Sequence, residues 1–199
     1  MRKALQDSPA KEKIMDAAQT LVLSKGFVGT SVDDICHKAK LTKGSFFHYF
    51  KSKDELGEEL LKRYCANKKQ EFIGGCCSTE KDPLKRVYGI IDFFINMSKN
   101  NSQGCLLGSM AQELSETHPD IRSICCESFS GFAEMLAKDF KEAKEKYVPK
   151  AAFDPESLAY YFVSVLQGSI LLSKVGHDAR IKENNAKHFK EYVKSLFKT

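Results

Sequence analysis

Apolar residues in this chain recur every three or four positions, and no run of Val, Ile or Thr alternates with polar residues in the manner of a strand. Ser8-Pro9 opens a first helix with Ile14, Ala17, Ala18, Leu21 and Val22 on one face, and Gly26 closes it. Val32, Ile35, Cys36 and Ala39 form a second, short apolar face, with Thr30 as the expected cap and Asp33 as its box partner. Leu41 turns inward, and Thr42 caps a third short helix in which Phe46 and Phe50, four apart, face the core. Ser52 and Glu55 read as a capping box that opens a long helix through Leu56, Leu60, Leu61 and Tyr64, broken at Gly74-Gly75. Asp82-Pro83 starts a helix carrying Leu84, Val87, Ile91, Phe94 and Ile95. Ser102-Gln103-Gly104 breaks the pattern before Cys105, and Thr117-His118-Pro119-Asp120 starts another helix through Ile121, Phe129, Phe132, Leu136 and Phe140. Asp154-Pro155 opens a segment that is apolar on almost every side between Leu158 and Leu172, which predicts burial all round. A last helix is expected near Asn184 to Phe197. The pattern predicts an all-α fold.

Charge divides the chain unevenly. Residues 1 to 64 hold 12 Lys/Arg against 9 Asp/Glu, a balance of +3. Residues 65 to 179 hold 13 against 15, and residues 180 to 199 hold 6 against 2. A basic start with a near-neutral middle fits a nucleic-acid face joined to a packed body. The seven cysteines include the adjacent pairs Cys76-Cys77 and Cys125-Cys126, an odd count that does not suit a secreted disulfide framework. No spacing matches a zinc site, no catalytic constellation or cofactor motif is present, and residues 1 to 25 lack a continuous apolar stretch of the kind a secretion signal needs. No apolar run is read as long enough to span a membrane. The expectation is a cytoplasmic protein with reduced thiols, not an enzyme, without metal or cofactor.

The chemistry concentrates between Thr30 and Leu56. From Ile35 to Lys53 there is no acidic residue, while Lys38, Lys40, Lys43, Lys51 and Lys53 alternate with Phe46, Phe47, His48, Tyr49 and Phe50. Two short helices with a tight turn and basic flanks have the dimensions to enter a DNA major groove. Lys43 and Ser45 are donors for phosphate or base edges, and Gly44 lets a backbone come close. The segment Leu41-Thr42-Lys43-Gly44-Ser45-Phe46-Phe47-His48-Tyr49-Phe50, preceded by Lys25-Gly26-Phe27 and Thr30 and followed by Lys53, resembles the reading head of TetR/AcrR-family transcriptional repressors over residues 9 to 56. The family usually has glycine where Lys40 stands, so either this lysine tolerates a left-handed conformation or the turn differs slightly from the family's. The resemblance implies a helix-turn-helix DNA-binding domain over residues 1 to 52 and a helical effector-binding and dimerisation domain over residues 53 to 199. It implies DNA contacts from Thr30, Thr42, Lys43, Gly44, Ser45, Phe47, His48, Tyr49 and Lys53. It also implies double-stranded operator DNA as partner and a homodimer through the last two helices.

An effector cavity is expected in the body, drawn from Phe94, Met97, Cys105, Met110, Phe129, Phe132, Tyr161, Gln167 and Lys174. Cys105 follows Gly104 at a helix start, where free amides and the helix dipole favour a thiolate. Some repressors of the resembling family with a similar Gly-Cys-Leu start sense electrophiles; a gap-filling buried thiol is the alternative. The function expected is a ligand-responsive repressor on a pseudo-palindromic operator, released by a small apolar or electrophilic effector. The rival readings are a thiol switch acting through protein partners and an enzyme on a helical scaffold.

Overall fold

A computed structural model describes residues 8–75, 79–98 and 104–198. Among these, nine helices and no strand are found: α1 Pro9–Lys25, α2 Val32–Ala39, α3 Lys43–Tyr49, α4 Lys53–Gly75, α5 Pro83–Ser98, α6 Leu106–Leu114, α7 Pro119–Tyr147, α8 Pro155–Gly176 and α9 Arg180–Leu196. The fold is all-α, as the periodicity predicts. The adjacent Cys76-Cys77 and the Ser102-Gln103 break lie outside the described residues.

Helix starts follow local chemistry. Ser8 caps α1 with Pro9 at its first position, Thr42 caps α3, and Asp154 caps α8 by accepting from the Ser157 amide at 2.7 Å. Two starts differ from the sequence reading. The cap of α2 is Ser31, not Thr30, and its box partner is Asp34: the Asp34 amide donates to Ser31 Oγ while the Ser31 amide donates to the Asp34 carboxylate. The last helix starts at Arg180, before Asn184. Ala179 at the cap position offers no side-chain oxygen, and Asp178 before it accepts from the Arg180 amide at 2.9 Å instead.

The chain divides into two compact units, residues 1–67 with 105–126, and residues 68–104 with 127–199. In the first, Ile14, Ala18, Val22, Ile35, Phe46, Phe50, Leu56, Leu60 and Leu61 are buried as one core. In the second, Val87, Ile91, Leu136, Phe140, Leu158, Phe162, Phe189 and Val193 do the same. Arg86 ties α5 to α7 through Asp139 at 2.7 Å and through Glu142, and Lys190 ties α9 to α5 through Asp92 at 2.7 Å.

Helix α8 corrects two expectations. It is not buried all round within the chain: Leu158, Ala159, Phe162, Ser169 and Ser173 face inward, while Tyr160, Tyr161, Leu171, Leu172 and Val175 are exposed. It is also long and apolar enough to cross a membrane by length and composition, with 22 residues and a hydropathy of 1.3 over its most apolar stretch. Its inner face is nonetheless committed to the core with Phe189 of α9, whose ring stacks on Phe162 at 4.6 Å.

Lys40 adopts the left-handed conformation (φ 56°, ψ 44°) that the tight turn demands. Its amide donates to the His37 carbonyl, and the Leu41 amide donates to the Cys36 carbonyl at 3.0 Å. A side chain in that region costs about 1–2 kcal/mol, and glycine's greater freedom when unfolded offsets about 0.4–1 kcal/mol of any gain. Lys40→Gly is therefore expected to stabilise the protein by roughly 0.5–1 kcal/mol, read as a higher urea midpoint with an unchanged slope.

Candidate functional site

Helix α3 is short, and two aromatic anchors fix its orientation. Phe46 and Phe50 are buried with their rings 5.6 Å apart, and the Ser45 amide donates to the Thr42 cap at 3.1 Å. With that face pinned, Thr42, Lys43, Gly44, Phe47 and His48 are exposed and Ser45 and Tyr49 are half-buried. Phe47 is 55 % exposed, an unusual position for a phenylalanine that has an apolar core one residue away. A Cβ on Gly44 would meet only Thr42 Oγ1 at 3.6 Å, so the surface above it is open. The Lys43 ammonium pairs with Asp33 Oδ1 at 2.8 Å, an exposed pair that reaches back to α2. The Tyr49 hydroxyl shares a hydrogen bond of 2.8 Å with Ser8 Oγ, fastening the end of α3 to the cap of α1. Lys38, Lys40 and Lys51 are exposed around the same helix and extend its basic surround. The acid-free run from Ile35 to Lys53 was the signal that could have added them to the expected site.

Two of the expected DNA-facing residues have intramolecular partners. Thr30 is buried, and its hydroxyl donates to the Gly26 carbonyl at 2.6 Å, so it offers no free donor to a duplex. The Lys53 ammonium donates to the carbonyls of Phe27 and Thr30, both at 3.0 Å, and lies 4.6 Å from the centre of the Phe27 ring. Both residues hold the turn between α1 and α2. The same turn receives a third support that sequence reasoning missed. Glu113 of α6 accepts from the Phe27 amide at 3.2 Å and the Val28 amide at 2.9 Å. No local pattern could have found it, because the partners lie 86 and 85 positions apart.

The expected effector residues separate into two groups. Phe94 and Phe132 come together in the second unit, 5.7 Å apart, within a lattice of rings completed by Phe72, Phe93 and Phe162. Phe129, Gln167 and Lys174 belong to the same unit and are half-buried, whereas Met97 and Tyr161 are exposed. Tyr161 packs its ring on Phe189 and Tyr192 at the surface. Cys105 and Met110 belong to the first unit. Met110 is fully buried, and its terminal methyl lies 3.3 Å from where a Cβ on Gly57 would stand. Cys105 caps α6: the Gly108 amide donates to its Sγ at 3.4 Å, and the Tyr64 hydroxyl donates to it at 3.9 Å. Burial, and after it the thiols of Cys105 and Cys65, hold the Tyr64 hydroxyl far above its ordinary range, so it remains a donor. Burial likewise pushes the Cys125 thiol up to about 11. None of Cys36, Cys65, Cys105, Cys125 and Cys126 is in a disulfide. A cleft of about 420 Å³ between α1 and α4 is lined by Lys11, Glu12, Met15, Glu59, Lys62 and Arg63. Its charges are already paired, Lys11 with Glu59 and Arg63 with Glu12 and Asp16.

Comparison with known proteins accounts for both parts of the chain. Residues 14–60 match the family described as bacterial regulatory proteins, tetR family, and residues 83–189 match the tetracyclin repressor-like C-terminal domain. An HTH-type transcriptional regulator of Lactococcus lactis from the lacX 3' region is 28% identical over 177 residues, 88% of each chain. The HTH-type transcriptional repressor NemR of Escherichia coli is 24% identical over 185 residues, 92% of this chain and 93% of its own. The crystal structure of regulatory protein TetR from Rhodobacter sphaeroides superposes with a TM-score of 0.80 at 25% identity, covering 92% of this chain and 97% of that one.

The clamp made by Lys53 separates a structural role from a DNA contact. Lys53→Met keeps the aliphatic stem but removes both bonds to the turn carbonyls. A loss of about 1.5–3 kcal/mol is expected in urea unfolding, the range for a hydrogen bond to a charged group. The salt dependence of nucleic-acid binding by the folded variant is expected to match that of the wild type.

Proposed function

The chain belongs to the TetR family of transcriptional regulators, DNA-binding transcription factors rather than enzymes, and on that premise we propose that it is a homodimeric repressor released from a pseudo-palindromic operator by a small effector. Residues 1–52 form the reading domain in this proposal, and residues 53–199 the effector-binding and dimerisation domain. The observation that carries it is the acid-free face of α3, with Phe46 and Phe50 pinned in the core and Lys43, Gly44, Phe47 and His48 turned outward. Such a face supplies a phosphate-seeking cation, an open approach at glycine, and aromatic groups able to touch sugars or thymine methyls. Ser45 and Tyr49, half-buried beside them, contribute hydroxyl donors at the rim.

The dimer is supported by the outer face of α8. Leu171, Leu172, Val175 and Tyr161 form an apolar strip that a single chain leaves in water, and Tyr192 of α9 extends it. Gly168 has nothing within 4 Å of where its Cβ would stand, so a partner helix can approach closely there. The same strip disfavours a monomer and explains why one helix is apolar on both faces.

The effector is proposed to be apolar or electrophilic. The ring lattice around Phe94 and Phe132 suits an apolar molecule, and Cys105, capping a helix beside the Tyr64 hydroxyl, suits an electrophile. The protein is proposed to act in the cytoplasm, where its thiols stay reduced.

Three measurements test this reading. A duplex selected by the wild-type protein from a random library serves as operator. Lys43→Ala is expected to weaken binding and to reduce the slope of log affinity against log salt by about 0.9, one phosphate contact; an unchanged slope removes Lys43 from the interface. Leu172→Glu places a charge in the apolar strip and is expected to yield monomers by light scattering; a soluble variant of dimer mass shows that the strip is not the seam. Brief treatment with N-ethylmaleimide is expected to label Cys105 before the buried Cys36 and Cys125 and to release the operator, and Cys105→Ser is expected to resist release. Retention of DNA by labelled wild type leaves an apolar, non-covalent effector.

A further inference from the structure

The turn from Gly26 to Thr30 joins α1 to α2 and is held by side chains of α4 and α6 as well as by its own backbone bonds, Gly26 to Val22 and Thr30 to Phe27. The amides of Phe27 and Val28 donate to Glu113 of α6, and the carbonyls of Phe27 and Thr30 accept from Lys53 of α4. The Phe27 ring is buried against both helices: a Cβ on Gly57 of α4 would stand 2.8 Å from it, and 3.3 Å from Met110 of α6. Gly26, at φ 84°, has its Cβ position 2.7 Å from the Glu113 carboxylate, so a side chain there would be strained and would displace the carboxylate as well. Helix α6 therefore has two chemically distinct ends. Cys105 caps its start, and Glu113, one residue from its end, grips the first turn of the DNA-binding head. The helix is only nine residues long, about 14 Å, short enough to shift as a rod when either end is disturbed.

We infer that Glu113 is the positioning residue through which the state of α6 reaches the DNA-binding head, by holding the Phe27 and Val28 amides that set the angle between α1 and α2. This deepens the repressor reading and rests on it for the meaning of the signal. Helix α2 begins at Val32, capped by Ser31 immediately after this turn, and α3 follows α2 through the left-handed Lys40. A displacement of the carboxylate leaves two amides without their acceptor and frees the turn to reorient both helices. Glu113 is itself exposed, so its contribution is positional and not part of a core.

The test is a double-mutant cycle on operator affinity, using the selected duplex and fluorescence anisotropy. Cys105→Ala disturbs the start of α6, Glu113→Ala removes the grip at its end, and the double variant carries both. Circular dichroism checks that each keeps wild-type helix content, and Glu113→Gln, which retains one acceptor oxygen, serves where Glu113→Ala does not fold. The expected result is non-additivity: Cys105→Ala changes affinity by about fivefold in the presence of Glu113 and by less than about twofold in its absence. Amide exchange at Phe27 and Val28 is expected to rise about tenfold or more in Glu113→Ala. An additive cycle overturns the inference, as does unchanged exchange at both amides. The two readings fail separately. Operator retained by wild type under N-ethylmaleimide ends the electrophile proposal, while the cycle, which needs no effector, still decides the role of Glu113.

Discussion

A tight turn exposes backbone amides and carbonyls that neither neighbouring helix can satisfy, and burying them unpaired costs more than most side-chain contacts return. The turn from Gly26 to Thr30 is the place where this constraint governs the first unit. A carboxylate from α6 takes the amides and an ammonium from α4 takes the carbonyls. Thr30 closes the remaining bond to Gly26. The angle at which α2 leaves α1 follows from that arrangement, and with it the direction in which α3 presents its outer face. The basic surface is thus downstream of hydrogen bonds made within the first unit itself.

The second unit is built on different forces. Against its buried aliphatic and aromatic core packs a set of interlocked, half-buried rings, mostly edge to face, from Phe72, Phe93, Phe94 and Phe132, joined to the core through Phe162, on which Phe189 stacks. Rings in such contact hold one another by shape and quadrupole instead of by hydrogen bonds. A flat apolar molecule can replace one ring's neighbour without leaving a polar group unsatisfied. The charged ties, Arg86 to Asp139 and Lys190 to Asp92, lie at the margin of this region and fix helix register. The inner side of α8 joins the core while its outer side stays apolar and exposed.

Much of this was legible in the chain because it is local. Ser8, Thr42 and Asp154 cap the helices that their side chains suggest, and Phe46 and Phe50 face inward as their spacing requires. Of the two outcomes that the family's usual glycine left open at Lys40, the left-handed lysine is the one observed. What was not legible is either degenerate or remote. Thr30 and Ser31 are both good caps with an aspartate three positions on, and only the bond from Thr30 to Gly26 decides between them. Lys53 reads as one more cation in a basic run until its partners, 26 and 23 positions back, are seen. Glu113 sits in an ordinary polar position of an amphipathic helix, and the start of α9 is held by Asp178 rather than by the residue at its cap position. The apolar excess of α8 was visible, but sequence cannot divide it between a face turned to its own core and a face turned outward.

The ion pair between Lys43 and Asp33 bears on how such a protein finds its place along a chromosome. The cation at the tip of α3 already has a carboxylate beside it at 2.8 Å, so a phosphate must displace an attached anion before it gains full use of the charge. Burial, and after it the Asp33 charge, also keeps the nearby Cys36 thiol above its ordinary range, a sign that this carboxylate is felt locally. On arbitrary sequence, where only phosphates are offered, such an exchange would be nearly even and residence brief. In the proposed repressor, contacts from the rest of α3 at the correct site would draw the lysine away from its partner. On the proposed reading, a built-in counterion of this kind would trade strength of grip for speed of search and leave the longest dwell times to the sequences that engage the whole helix.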